Sequence, residues 1–251
     1  MHYNWNWAIL LQKSAEAGGS WLLYLVAGLG WTLAVALCAW AIALALGAVV
    51  GTLRTGPMRW VARVCAAYVE IFRNVPLLVQ MFLWFFVLPE LLPEQWGDAI
   101  KQMKPPWAAF LPAVLCLAFY TSVRVAEQVR AGIQSLPRGQ SLAGTAMGLS
   151  LAQTYRYVLL PMAFRIILPP LTSEFLNCIK NSSVALTIGV MELTARARSM
   201  QEFTFQVFEA FAAATAIYLL TNMIVVLLMR RLEARVRVPG FIGAHSGAAG
   251  H

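Results

Sequence analysis

Of the 19 Lys and Arg residues in the chain, four stand inside stretches that are otherwise apolar: Arg73, Arg124, Arg165 and Lys180. An ionised side chain in hydrocarbon is expensive, so each needs a partner or a task. Glu70, Arg73 and Asn74 fall at i, i+3 and i+4, on one face of a helix. That spacing favours a self-neutralising Glu–Arg pair over direct contact with a solute. Pro76 follows; it has no amide hydrogen and frees a carbonyl one turn earlier, so it kinks the helix where a gate would have to bend. Glu127 and Arg130 are three apart at the end of an apolar run and suit the exit of a loop. Arg124 lies one turn before Glu127. It either neutralises that carboxylate or presents its planar fork to the carboxylate of a passing solute. Asn177, Lys180, Ser182 and Ser183 bring amide, ammonium and hydroxyl donors into another apolar run, either to line a pathway or to join two helices.

These groups do not form a catalytic constellation. HExxH, GxSxG and GxxxxGK[ST] are all absent from the sequence, so a metalloprotease, a serine hydrolase and a P-loop nucleotide site are not expected. Cys38, Cys65, Cys116 and Cys178 are scattered singly and read as small buried hydrophobes rather than a metal or redox site. His2, His245 and His251 are confined to the terminal segments, without partners at ligand spacing.

The elements that position the polar groups follow from composition. The chain has 251 residues, 60% hydrophobic and only 12% charged, about half the charge a water-facing surface carries. It is expected to be an all-α membrane protein. No charge occurs between Ala17 and Leu53, a run too long for the apolar region of a secretory signal and ample for a spanning helix. Charge-poor windows predict five spans: one within Trp21 to Leu53, then about Val64 to Pro89, Pro105 towards Ala126, somewhere in Tyr157 to Met191, and Glu209 to Arg230. Segments 54–63, 130–156 and 230–237 hold ten Lys/Arg between them, against five in the N-terminal segment, 90–106 and 192–206. By the positive-inside rule the N-terminus is outside and the C-terminus cytoplasmic. The net charge of +8 is thereby assigned to cytoplasmic loops rather than to nucleic acid. The chain reads as a single transmembrane domain with its core in about 21–235 and a loose tail rich in Gly and Ala from Phe241 to His251.

Within the long 130–156 loop, the stretch from Gly139 to Pro161 reads GQSLAGTAMGLSLAQTYRYVLLP. It predicts a helix from about Ser141 to Met147, a left-handed stop at Gly148, and a second short helix opened by a Ser150–Gln153 capping box. The result is a knob with an apolar face, Leu142, Ala146 and Leu149, suited to a groove on another protein or to capping the membrane domain.

LAGTAMG, nine residues, then VLLP resembles the EAA loop of bacterial ABC importer permeases. Ala143, Gly148, Leu160 and Pro161 match in register, while Leu142 stands where the family has Glu and Gly144 where it has the second Ala. YVEIFRNVPLLVQMF, EQVRAGIQSLPRGQ and KNSSVALTIG resemble further blocks of the polar amino acid permeases, most nearly those for glutamate and aspartate. The resemblance implies the type I importer permease fold in the bacterial inner membrane. It also implies an ATPase-coupling loop of Leu142, Ala143, Gly144, Ala146, Gly148, Leu160 and Pro161, gripped by ABC ATPase subunits, with ATP and magnesium bound by that partner. A second permease subunit, identical or related, and an extracytoplasmic amino acid-binding protein complete the expected assembly. A permease for another polar amino acid is the alternative reading, and an ion-coupled secondary transporter is the competing class, although the inverted repeat common in that class is not visible.

Overall fold

The computed structural model describes residues 3–14, 16 and 18–236, so the tail from Phe241 to His251 lies outside the described residues. After a 3-10 turn at Trp7–Leu11 the chain enters α1, Trp21–Leu53, whose N-cap Ser20 accepts a hydrogen bond from the Leu23 amide at 3.3 Å. Its 33 residues extend about 50 Å at 1.5 Å per residue, more than the hydrocarbon thickness of a bilayer. Then follow α2 (Arg59–Asn74), α3 (Leu77–Leu91), α4 (Glu94–Lys101), α5 (Trp107–Gln134), α6 (Arg138–Ala146), α7 (Leu151–Ile188), α8 (Leu193–Thr204) and α9 (Val207–Val236). The fold among the described residues is helical, as expected.

Four helices, α1, α5, α7 and α9, are each long and apolar enough to cross a membrane. The expected second span is not one helix. It is divided into α2 and α3, which meet at 102° across Val75 and Pro76. Pro76 removes one helical hydrogen bond, and the preceding Val75 is pushed to an extended conformation, φ −95° and ψ 128°, as residues before proline are. The kink expected at Pro76 is thus a corner.

The fourth span also departs from expectation, because it begins at Leu151 rather than near Tyr157. The second short helix of the loop is therefore the first turn of α7. Continuity is kept by a π turn over Tyr155–Leu159, in which the Leu160 amide reaches back five residues to the Tyr155 carbonyl. Pro161 comes next, and the wider turn accommodates its ring and missing donor. Leu83–Val87 in α3 repeats the arrangement: the Leu88 amide bonds the Leu83 carbonyl just before Pro89.

The core is built on α1 against α5, with α7 alongside. Small residues permit the approach: a Cβ at Gly47 or Gly51 would lie 2.6 Å from the Ser122 or Ala126 carbonyl oxygen of α5. This is the small-xxx-small contact that membrane helices use where lipid gives no hydrophobic drive to associate. Val35, Ala36 and Ala39 of α1, Leu117 of α5 and Ile179 of α7 fill the centre. Cys65, Cys116 and Cys178 are buried as expected, whereas Cys38 is exposed, because its side of α1 is left uncovered by α5 and α7. On α9 Leu219, Leu220, Met223, Ile224 and Leu227 are more than half exposed, an apolar surface suited to lipid or to another membrane subunit. At one rim Lys101 donates to Glu90 at 2.7 Å, joining α4 to α3, and that hydrogen bond raises the ammonium pKa above the ordinary lysine value.

Candidate functional site

The knob is assembled by two complementary end signals. Gly148 takes φ +79°. Its amide bonds the Thr145 carbonyl at 3.0 Å and the Leu149 amide bonds the Gly144 carbonyl at 3.1 Å. These are the two bonds of a Schellman motif, which needs a left-handed residue after the helix. Two residues later the Ser150 amide donates to Gln153 Oε1 at 2.8 Å and the Gln153 amide to Ser150 Oγ at 3.4 Å, the capping box that opens α7.

Leu142, Ala143 and Ala146 point outward, with Leu142 68% exposed and Met147 80% exposed. Leu149 is only half-buried and Gly148 is open to solvent. Gly144 differs from its neighbours by facing inward. A Cβ there would lie 2.9 Å from Thr154 Cγ2 and 3.0 Å from its Oγ1, so glycine is what lets α6 rest on the first turn of α7. Leu160 and Pro161 sit beyond the π turn, where the knob passes into the span.

Beside the knob lies a charged junction. Glu127 of α5 accepts from Arg54, at the end of α1, at 2.5 Å, and from Arg130 at 2.8 Å. The Arg54 and Glu127 side chains are only 13% and 24% exposed. Glu127 and Arg130 do pair, as their spacing predicts, and Arg54 is the partner that spacing could not supply.

Arg124 does not neutralise Glu127. Its Nη2 donates to the Tyr120 hydroxyl at 2.8 Å, its guanidinium lies 5.0 Å from the centre of that ring, and Nη1 is 3.9 Å from Glu174 Oε2 on α7. The last distance is an ion pair without a hydrogen bond, and Glu174 Oε2 is buried with no hydrogen-bond partner in the described residues. The guanidinium retains donors for another carboxylate. Of the α7 candidates, Ser182 donates to the Ile179 carbonyl and Ser183 to the Lys180 carbonyl, both at 2.7 Å, so their hydroxyls are satisfied within their own helix. Asn177 is half-buried and Lys180 exposed.

On α2, Arg73 Nη2 lies 3.1 Å from Glu70 Oε1, and Asn74 Nδ2 donates to the Glu70 carbonyl at 2.8 Å. The self-neutralising pair is formed, on an exposed face. The corner beyond it depends on a residue that sequence reasoning missed. Gln80 is 3% exposed, and its Nε2 donates to the carbonyls of Phe72 at 2.8 Å and Val75 at 2.9 Å. Phe72 carries the carbonyl that an amide at position 76 would have bonded, so Gln80 supplies the donor that Pro76 lacks. Its position one turn after the proline was the available signal.

Two buried carboxylates were missed as well. Glu192 caps α8, accepting from the Ala195 amide at 2.7 Å, from Tyr218 of α9 at 2.9 Å and from Thr32 of α1 at 3.3 Å. Glu209 accepts from the Asn6 amide at 2.7 Å and from the Tyr3 hydroxyl, fastening the N-terminal segment to α9. Their partners lie far away in sequence, where local spacing gives no sign of them.

The arrangement combines a helical core of membrane-spanning length, polar side chains within it, and an exposed knob leading into one long helix. A family model described as binding-protein-dependent transport system inner membrane component matches residues 43–238. The glutamate/aspartate import permease protein GltJ of Escherichia coli K12 is 47% identical over 97% of this chain and 99% of its own length. The glutamine transport system permease protein GlnP of the same organism is 31% identical over 85% of this chain and 93% of its own. Among solved structures, an amino acid ABC transporter with histidines superposes with a TM-score of 0.72 at 32% identity, covering 86% of this chain and 95% of that one. The MetNI methionine transporter shares the fold, with a TM-score of 0.73 at 19% identity over 90% of this chain and 100% of that one. From its core and knob to its matched sequence, the chain belongs to the family of binding-protein-dependent transport system inner membrane components, as a permease of amino acid ABC importers.

Proposed function

We propose that the chain is one of two transmembrane subunits of an ATP-driven importer of acidic amino acids, glutamate and aspartate, in a bacterial inner membrane. Its N-terminus is outside and its C-terminus cytoplasmic, in line with the partition of basic residues. A binding protein delivers the solute outside, and ATPase subunits bind ATP and magnesium and seize the knob inside. The observation that carries this reading is the continuity of the knob with α7, which joins the surface a partner would grip to the membrane core along one helix.

The acidic substrate is supported by the 47% identity to the glutamate/aspartate permease protein and by Arg124, whose guanidinium holds Glu174 only loosely. Arg124 offers parallel donors to the side-chain carboxylate of the solute and disfavours cationic cargo. Asn177 and Lys180, on the same helix as Glu174, extend the polar track.

Uptake of glutamate, glutamine and arginine is to be measured in vesicles holding the complete transporter, with ATP depletion and an ion-gradient uncoupler as controls. Wild type carries glutamate best, stops on ATP depletion and survives the uncoupler. Arg124→Gln loses glutamate uptake selectively, by roughly tenfold or more if one charge-assisted contact is removed. Equal loss for every amino acid instead marks Arg124 as a structural neighbour of Glu174. Preference of the wild type for arginine overturns the substrate assignment.

A further inference from the structure

The knob is tied to more than its own span. Tyr155 opens the π turn at its base, and its hydroxyl donates to the Thr55 carbonyl at 2.8 Å, with Thr55 Oγ1 at 3.2 Å. That carbonyl belongs to the turn between α1 and α2, just past the end of α1, where main-chain acceptors lack helical donors. The neighbouring residue of the same turn, Arg54, holds Glu127 of α5 at 2.5 Å. Between this turn and α7 lies a groove of about 390 Å³ lined by Leu53, Met58, Val61, Leu151, Tyr155 and Leu160, among others. Among the described residues, the Tyr155 hydroxyl supplies the polar link from one wall to the other.

We propose that this link is a lateral strut. It passes displacement of the knob into the α1–α2 turn, and through Arg54 and Glu127 into α5, which makes Tyr155 a positioning residue for coupling. The proposal rests on the reading of the knob as the ATPase docking site. A hydrogen bond is short and directional and fixes the relative position of the groups it joins, whereas an open apolar groove lets its walls slide. The π turn is the natural place for such sliding, because its hydrogen bonding departs from the regular helix. Part of the movement of Leu151–Thr154 would be lost there before it reached the rest of α7, and Tyr155 carries that part sideways to α1. The α1–α2 turn leads into α2, whose far end is the corner at Pro76, so the same displacement has a path along α2 to that corner.

The test uses the whole transporter in liposomes with its binding protein, reading ATP hydrolysis and uptake of the amino acid it carries fastest in the same vesicles. Tyr155→Phe removes one hydroxyl and keeps the ring. It should leave hydrolysis within about twofold of wild type while uptake falls by about tenfold, the scale of one lost hydrogen bond of a part-buried acceptor. The ratio of ATP consumed to solute carried therefore rises. Thr55→Val keeps the accepting carbonyl and should leave both rates within about twofold of wild type, because the principal bond is retained. An unchanged ratio in Tyr155→Phe, whether both rates are normal or both fall together, overturns the strut. Gly148→Asp run in parallel separates the two ideas. Normal uptake by that variant overturns the docking reading and the strut with it, whereas a dead Gly148→Asp beside an unchanged Tyr155→Phe ratio overturns the strut alone.

Discussion

The helical path of the chain is interrupted at Gly148 and at Pro76, and the two interruptions are stabilised in opposite ways. At Gly148 the chain turns among exposed residues, the freed main-chain groups are met by neighbours no more than five positions away, and both flanking helices supply their own caps. At Pro76 the chain turns beside the core, and the freed carbonyl is met by a buried side chain eight residues on from Phe72. The first is a corner specified locally, so it holds its shape while projecting from the protein. The second is specified by one amide in a packed setting, so it depends on α3 staying in place. On the proposed reading, the first suits a knob offered to a partner and the second a bend packed against the membrane core.

The largest effect is expected from Gly148→Asp. A side chain at φ +79° costs about 1–2 kcal/mol in backbone strain, and the carboxylate would project from the tip of the knob. Uptake should fall to background while the protein remains inserted and expressed, measured by transport assay beside membrane quantification. Next comes Gln80→Leu, which leaves the Phe72 and Val75 carbonyls without their donor and costs about 1–3 kcal/mol for each group stranded. Its thermal midpoint in detergent should fall several degrees, and Gln80→Glu, which removes both N–H donors and adds charge, should fall further. If Gln80→Leu melts like wild type, the corner is held by packing alone and the contrast with Gly148 is lost.

A smaller loss is expected from Gly144→Ala, whose Cβ would crowd Thr154 with an overpacking cost of about 1–3 kcal/mol. Thr154→Ala should restore uptake in the double variant, and additivity of the two changes would show that α6 and α7 do not touch there. Smallest of all is Ser150→Ala, worth about 1 kcal/mol of capping. The remainder of α7 stays packed in the core, so uptake should remain within about twofold of wild type, the scale of a cap lost from a long helix.

What was legible in the sequence divides along the same line. Gly148, Ser150 and Gln153 act over a few residues, and their roles are written in their spacing; so is the Glu70–Arg73 pair. Pro76 announced a disturbance but not its 102° size, because the extent of the bend depends on where α3 finds its packing partners and on Gln80. The start of α7 at Leu151 was hidden by Arg156 and Pro161, which resemble a loop until the π turn is seen to carry the helix through them. The partner of Arg124 stayed open in the sequence because spacing reveals neighbours on one helix only. Glu127 is taken by Arg54, leaving Arg124 to Glu174 across the α5–α7 contact. Glu192 and Glu209 are satisfied from across the fold and leave no local trace.

The central claim, that the corner at Gly148 is a rigid cytoplasmic knob gripped by an ATPase, is tested most directly at Met147, which is 80% exposed at its tip. Met147→Cys, in a background lacking the four native cysteines, should react with a membrane-impermeant thiol reagent in inside-out vesicles and not in intact cells. Assembly with the ATPase subunits should protect it. Labelling from outside intact cells, or labelling unchanged by the bound ATPase, would contradict the account.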